Sequence, residues 1–271
     1  MKNKQDYEWG IYKGKLPYLL RLKGDPSIII FEPSRELVKN VTHRIDDIIK
    51  TYNMILPAKC SLCVLGYDPN LPVEYTAEEV AHTFADFIKK KYRPGIVMGI
   101  SYGGFISIPF AALHPELTQK MILMVSAYAA SPDGIQLMKD FIHEIDGENQ
   151  YGVVQKFYSL ILGTPLRLLF TFLTWLKRKD YKNNVNPAST FINAYNYVIK
   201  TNGINKKYLP EINASTLIIG GDKDPFFNNE LFKETEELIP DSKLSLYKNQ
   251  GHFVAIEKMK SVKKELADFI L

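Results

Sequence analysis

The chain has 271 residues, 46% hydrophobic and 24% charged, with a formal net charge of +4. That is enough chain for one large core, or a core with an insertion, and the balance excludes long disordered or low-complexity spans. The modest charge gives no reason to expect a nucleic-acid partner, and residues 1–7 are too polar for a secretion signal, so a cytoplasmic protein is expected.

In chain order, residues 9–12 and 16–22 read as two strands joined at Lys13-Gly14, a hairpin signal. Residues 27–31 form a β-branched and aromatic run, and residues 37–52 show helical periodicity. Residues 60–65 read as the next strand. It carries the only two cysteines, Cys60 and Cys63, whose spacing of three in a strand points them to opposite faces. No second pair exists to complete a metal site, and free thiols suit a reducing compartment. Thr76-Ala77-Glu78-Glu79 is a capping box that starts a helix running to about Lys91. A short apolar run, residues 95–98, then leads into Gly99-Ile100-Ser101-Tyr102-Gly103 and a helical stretch over residues 102–113. Strands follow at residues 121–126, 216–220 and 244–247, with helices at residues 230–239 and from about Lys258 to Ile270.

Several strands are apolar at nearly every position, as in a parallel sheet covered on both faces. Strands alternating with helices predict an α/β architecture. The alternation breaks at residues 131–208, which read as helices without strands. The expected organisation is a core of residues 1–130 and 209–271 with a helical cap, residues 131–208. Between Gln150 and Pro210 there are nine Lys or Arg and one acidic residue, Asp180, a surplus of +8 against −4 elsewhere. That asymmetry fits an anionic substrate, a partner surface, or only a solvated basic face. Residues 160–176 are strongly apolar and end in Lys177-Arg178-Lys179. Pro165 and Arg167 interrupt a run already too short to span a membrane. It is expected to line an apolar pocket, or else to lie on a lipid surface.

Strand, sharp turn, helix is the setting in which G-x-S-x-G exposes a serine hydroxyl. Gly99 and Gly103 are expected where a Cβ would collide with neighbouring backbone. A serine nucleophile needs a base, and the base needs an orienting acid. Of five histidines, His43 and His82 fall on predicted helices, His114 ends one, and His143 lies in the insertion. His252 sits in a glycine-flanked loop directly after the last strand and is the expected base. Asp224, in Gly221-Asp222-Lys223-Asp224, is the expected acid, with Asp222 and Asp133 as alternatives. Ser, Asp, His is the chain order of one hydrolase architecture.

With these residues in place, nearly the whole chain resembles the α/β-hydrolase superfamily. Gly99 to Gly103 is similar to its nucleophile elbow, and Gly66-Tyr67-Asp68 to its strand-4 loop. Leu113-His114-Pro115-Glu116 resembles the end of the post-elbow helix, Gly221 to Asp224 the acid loop, and Gly251-His252 the histidine loop. The resemblance implies a carboxylesterase- or lipase-like enzyme with Ser101, Asp224 and His252 as catalytic residues and no metal or organic cofactor. A serine at position 101 departs from the relatives that use aspartate there. The oxyanion donors it implies are the N–H groups of Tyr102 and Ser34. Where the family carries His-Gly, this chain has Glu32-Pro33, and a shift of one residue would place a proline at the donor position. Ile161, Leu166, Leu168, Leu169, Phe170, Phe172 and Trp175 are the expected contacts for an apolar acyl chain. A non-catalytic binding protein on the same fold, or a lipid-surface protein, are the alternatives.

Overall fold

In the computed structural model, residues 6–145, 154–155, 164–176 and 185–271 are described, with backbone alone at residues 164–167 and 170. Eight strands form one sheet: β1 (Glu8–Tyr12), β2 (Leu16–Arg21), β3 (Ser27–Phe31), β4 (Ser61–Leu65), β5 (Gly95–Ile100), β6 (Thr118–Met124), β7 (Ser215–Gly221) and β8 (Ser242–Tyr247). Their order is β1-β2-β4-β3-β5-β6-β7-β8. β2 is antiparallel to β1 and β4, and every other pairing is parallel.

The helices are α1 (Arg35–Val38), α2 (Ile45–Ile55), α3 (Ala77–Lys91), α4 (Tyr102–Leu113), α5 (Pro132–Ile145), α6 (Thr164–Leu176), α7 (Ala188–Lys200), α8 (Asn229–Leu238), α9 (Val254–Glu257) and α10 (Met259–Ile270). Alternate residues of the central strands bury into two cores. Ile29, Phe31, Cys63, Val97 and Leu123 face the core shared with α3, α4 and α8. Ile28, Ile30, Cys60, Ile96 and Ile122 face the core shared with α2 and α10. Two-sided burial is the physical reason the central strands lack polar alternation. It also puts Cys60 and Cys63, both free thiols, on opposite faces.

One expected helix is broken. In place of a continuous helix over residues 37–52 there are α1, a 3₁₀ turn at Val41–His43, and α2. A continuous helix would bond the Val41 N–H to the Leu37 carbonyl. Instead that N–H donates to Glu36 Oε1 at 2.8 Å, and the carbonyl accepts from Asn186 Nδ2 at 3.1 Å. Side chains have taken both partners, so the helix stops and restarts. Helix α4 shows the converse. Pro109 inside it cannot donate to the Phe105 carbonyl, and Asn205 Nδ2 takes that acceptor at 2.8 Å.

The chain reverses its direction of travel across the sheet between β3 and β5. Crevices at such switch points, beyond the carboxyl ends of the strands, are where open α/β sheets hold ligands. β3 ends in the loop that carries Ser34, and β5 ends at Ser101. Between β6 and β7 the described elements are all helical, comprising α5, residues 154–155, α6, α7 and a 3₁₀ segment, Ile204–Glu211.

Candidate active site

Ser101 links β5 to α4 with φ 51° and ψ −116°. Positive φ is strained for a residue with a Cβ, and such strain persists only where the surroundings over-determine it. Here the Ser101 N–H donates to the Met124 carbonyl on β6 at 2.9 Å, and the Ser101 carbonyl accepts from the Gly104 N–H at 2.9 Å. The turn leaves no space at either glycine. A Cβ on Gly99 would overlap the Ser107 hydroxyl and lie 2.8 Å from Gly104 Cα, and one on Gly103 would overlap the Phe31 carbonyl. Val125, next to the Met124 anchor, is also at positive φ, 46°, a second strained position that nothing in the sequence pattern marks.

His252 is buried in the loop after β8. Its Nε2 lies 2.9 Å from Ser101 Oγ, and its Nδ1 lies 2.7 Å from Asp224 Oδ2. Asp224 follows β7, and its second oxygen, Oδ1, accepts the N–H groups of Phe226 at 2.8 Å and Phe227 at 3.3 Å. The carboxylate is therefore held by its own turn while it faces the imidazole. The two loops abut closely, since a Cβ on Gly221 would overlap the Gln250 carbonyl. The Phe226 and Phe227 rings lie 4.9 and 6.0 Å from the imidazole.

The structure thus brings Ser101, His252 and Asp224 together from three strand ends. Asp133 is exposed in the first turn of α5, and Asp222 has one buried carboxylate oxygen with no hydrogen-bond partner among the described residues. His43 lies on the 3₁₀ turn and His143 on α5, whereas His82 and His114 face each other at 2.9 Å.

Tyr102 occupies the first position of α4, where a backbone N–H has no partner within the helix. Its side chain is buried, with its hydroxyl 2.7 Å from that of Tyr75 and its ring edge-on to Tyr67 at 5.0 Å. Burial raises all three phenols above their ordinary range, which keeps them neutral. Ser34 is buried at the start of α1, and its hydroxyl opposes the burial-driven rise of Tyr195 on α7, which reaches about 12.

Sequence patterns did not single out the polar cluster behind Ser34. Glu32, Glu36 and Arg44 are buried together, with one Arg44 nitrogen, Nη2, 2.8 Å from Glu32 and 2.7 Å from Glu36. One signal was present, because Arg44 lies in register with Ile48 and Tyr52 on the apolar stripe of the expected helix.

Of the expected acyl-chain contacts, Ile161 and the side chains of Leu166 and Phe170 lie outside the described residues. Leu168, Leu169, Phe172 and Trp175 are exposed on α6, with Leu168 reaching 64%. No helix among the described residues is long and apolar enough to cross a membrane, and none of their His, Cys, Asp or Glu side chains group for a metal ion.

Known proteins resemble this chain in sequence and in fold. The family model described as alpha/beta hydrolase fold matches residues 65–259. The chain is 26% identical over 189 residues, 64% of its length and 61% of the other's, to a 2-hydroxy-6-oxononadienedioate/2-hydroxy-6-oxononatrienedioate hydrolase of Cupriavidus pinatubonensis. It therefore spans about three-fifths of the length of that curated relative. Among solved structures, it superposes on an enol-lactonase from Burkholderia xenovorans with a TM-score of 0.75 at 13% identity, covering 97% of this chain and 99% of that one. An esterase from Exiguobacterium antarcticum gives a TM-score of 0.74 at 15% identity, over 97% and 98%. With a family model covering most of the chain and an eight-stranded, mostly parallel sheet of the same fold, the protein belongs to the α/β-hydrolase fold family.

Proposed function

We propose that the chain is a serine hydrolase that cleaves a carboxylic ester or a related acyl bond. The observation that carries this reading is the continuous pair of hydrogen bonds from Ser101 Oγ through His252 to Asp224. Ser101 Oγ attacks the acyl carbonyl while His252 Nε2 takes its proton. Asp224 holds Nδ1–H and stabilises the imidazolium without accepting its proton. The N–H groups of Tyr102 and Ser34 receive the oxyanion. His252 returns the proton to the departing alcohol, which leaves an acyl-enzyme. His252 then deprotonates a water that attacks this acyl group. The acid is released and Ser101 regains its proton.

The relatives named as a dienedioate hydrolase, an enol-lactonase and an esterase support hydrolysis without selecting a substrate. The bond we favour is an ester of an apolar acyl chain, which Leu168, Leu169, Phe172 and Trp175 on α6 would meet. A second reading, contact of the cap (residues 131–208) with an anionic lipid surface, is favoured by the exposure of those same side chains beside a basic segment.

Intact-mass spectrometry after fluorophosphonate treatment tests the mechanism. One adduct is expected on the wild type and none on Ser101→Ala, whose kcat on a nitrophenyl ester falls by about 10⁴ to 10⁶. Unlabelled, well-folded wild type, or ester turnover retained in Ser101→Ala, would overturn the reading.

A further inference from the structure

The loop after β3 departs from the family at Glu32-Pro33, and the structure shows what those residues do instead. Glu32 is held at four points. Its N–H donates to the Leu65 carbonyl at 3.2 Å, and its carbonyl accepts the Tyr67 hydroxyl at 2.6 Å. One carboxylate oxygen accepts the Tyr52 hydroxyl, and the other accepts Arg44 Nη2 at 2.8 Å. Four residues on, Glu36 accepts the same Arg44 nitrogen at 2.7 Å and the Val41 N–H at 2.8 Å. Its carboxylate fills the space over Gly66, where a Cβ would overlap it. Arg44 is itself anchored, with Nε donating to the Lys39 carbonyl at 2.6 Å.

Residues 32 to 36 therefore form an arch whose two feet are tied by one guanidinium. Ser34 is its middle residue. The arch lies against the elbow, because it is the Phe31 and Glu32 carbonyls that a Cβ on Gly103 would strike. Burying such a cluster adds little to stability, since desolvation offsets the attraction between the charges. Its geometric effect is larger, because the planar guanidinium, anchored through Nε on the Lys39 carbonyl, directs one nitrogen, Nη2, at both carboxyl groups at once. A displacement of about 1 Å in a catalytic group costs about 10²-fold in rate.

We propose that Arg44 is a positioning residue, whose bridge from Glu32 to Glu36 sets the direction of the Ser34 N–H toward the oxyanion. This rests on the serine-hydrolase reading above. The chain thus holds this loop by a buried cluster of Glu32, Glu36 and Arg44. Arg44 touches no reacting atom and acts through the arch alone.

A double-mutant cycle between Arg44→Lys and Ser34→Pro tests this, read as kcat and KM on p-nitrophenyl butyrate and as the rate of fluorophosphonate labelling. Lysine keeps the charge but not the planar fork. Ser34 has φ −56°, which proline accommodates, so Ser34→Pro deletes the donor with little change of backbone. Arg44→Lys is expected to lower kcat about 10- to 100-fold with KM changed less than about threefold. Ser34→Pro is expected to lower kcat about 10²-fold, and the double variant no further. Thermal melting establishes that each variant is folded. If Arg44→Lys does not fold, Tyr52→Phe takes its place, with a smaller kcat loss that likewise vanishes beside Ser34→Pro. Wild-type kcat in folded Arg44→Lys, or losses that multiply in the double variant, would overturn the proposal. Failure of the hydrolase reading is distinct, because the wild type would then show no Ser101-dependent labelling.

Discussion

Glu36 is the buried carboxyl with the most consequence for pH. Burial raises its pKa from 4.5 to about 8, the Glu32 charge adds to the rise, and Arg44 opposes it. The groups facing it are Glu32 and Arg44, with Tyr52 and Tyr67 nearby. Below pH 4.5 the carboxyl is protonated in both folded and unfolded chains. Between 4.5 and about 8 only the folded chain keeps the proton, so its contribution to stability falls as pH rises through that window. Glutamine cannot ionise. Melting temperatures measured from pH 5 to pH 8 should therefore fall less steeply in Glu36→Gln than in the wild type, and equal slopes would remove Glu36 as the cause. The loops that carry Ser101, Asp224 and His252 were legible in the sequence because each is short and has its own glycine or turn signature. The Glu36–Arg44 contact was not, because Glu36 lies just before the expected helix over residues 37–52 and meets Arg44 only after that helix has broken.

At the scale of elements, local signals held where the chain satisfies its own backbone. The Thr76–Glu79 capping box forms in full at the start of α3, and α4 spans residues 102–113 as its pattern predicts. Thr76→Ala should cost about 1 kcal/mol. It should lower the melting temperature by about 2–4 °C. Its fluorophosphonate labelling rate should equal that of the wild type, since the box lies on the exposed start of α3 and bonds none of Ser101, Asp224 and His252. Local signals failed at residues 37–52, where Asn186 arrives from a segment about 150 residues away in sequence and takes two α1 carbonyls. Periodicity cannot register such a competitor.

Across the whole molecule, charge is segregated by sequence segment. The excess of +8 between residues 150 and 210 lies in the same stretch as α6, whose Leu168, Phe172 and Trp175 are exposed. If that face meets lipid, the protein should sediment with vesicles containing anionic lipid and much less with zwitterionic ones. About 0.5 M salt should weaken the association, because exposed charges are screened within about 4–5 Å at that ionic strength. Binding indifferent to both lipid charge and salt would count against the second reading and leave α6 to the substrate.

The sequence by itself determined the strand and helix content, the two-faced burial of the central strands and the three loops that carry serine, acid and histidine. These depend on side-chain period and turn chemistry within a few residues. Tertiary structure alone decided which carboxylate faces His252, where the 37–52 helix breaks, and that Glu32 and Glu36 share one arginine. Each of these is a choice between hydrogen-bond partners brought together from different elements. The winner depends on desolvation and on distances that exist only once the sheet has formed.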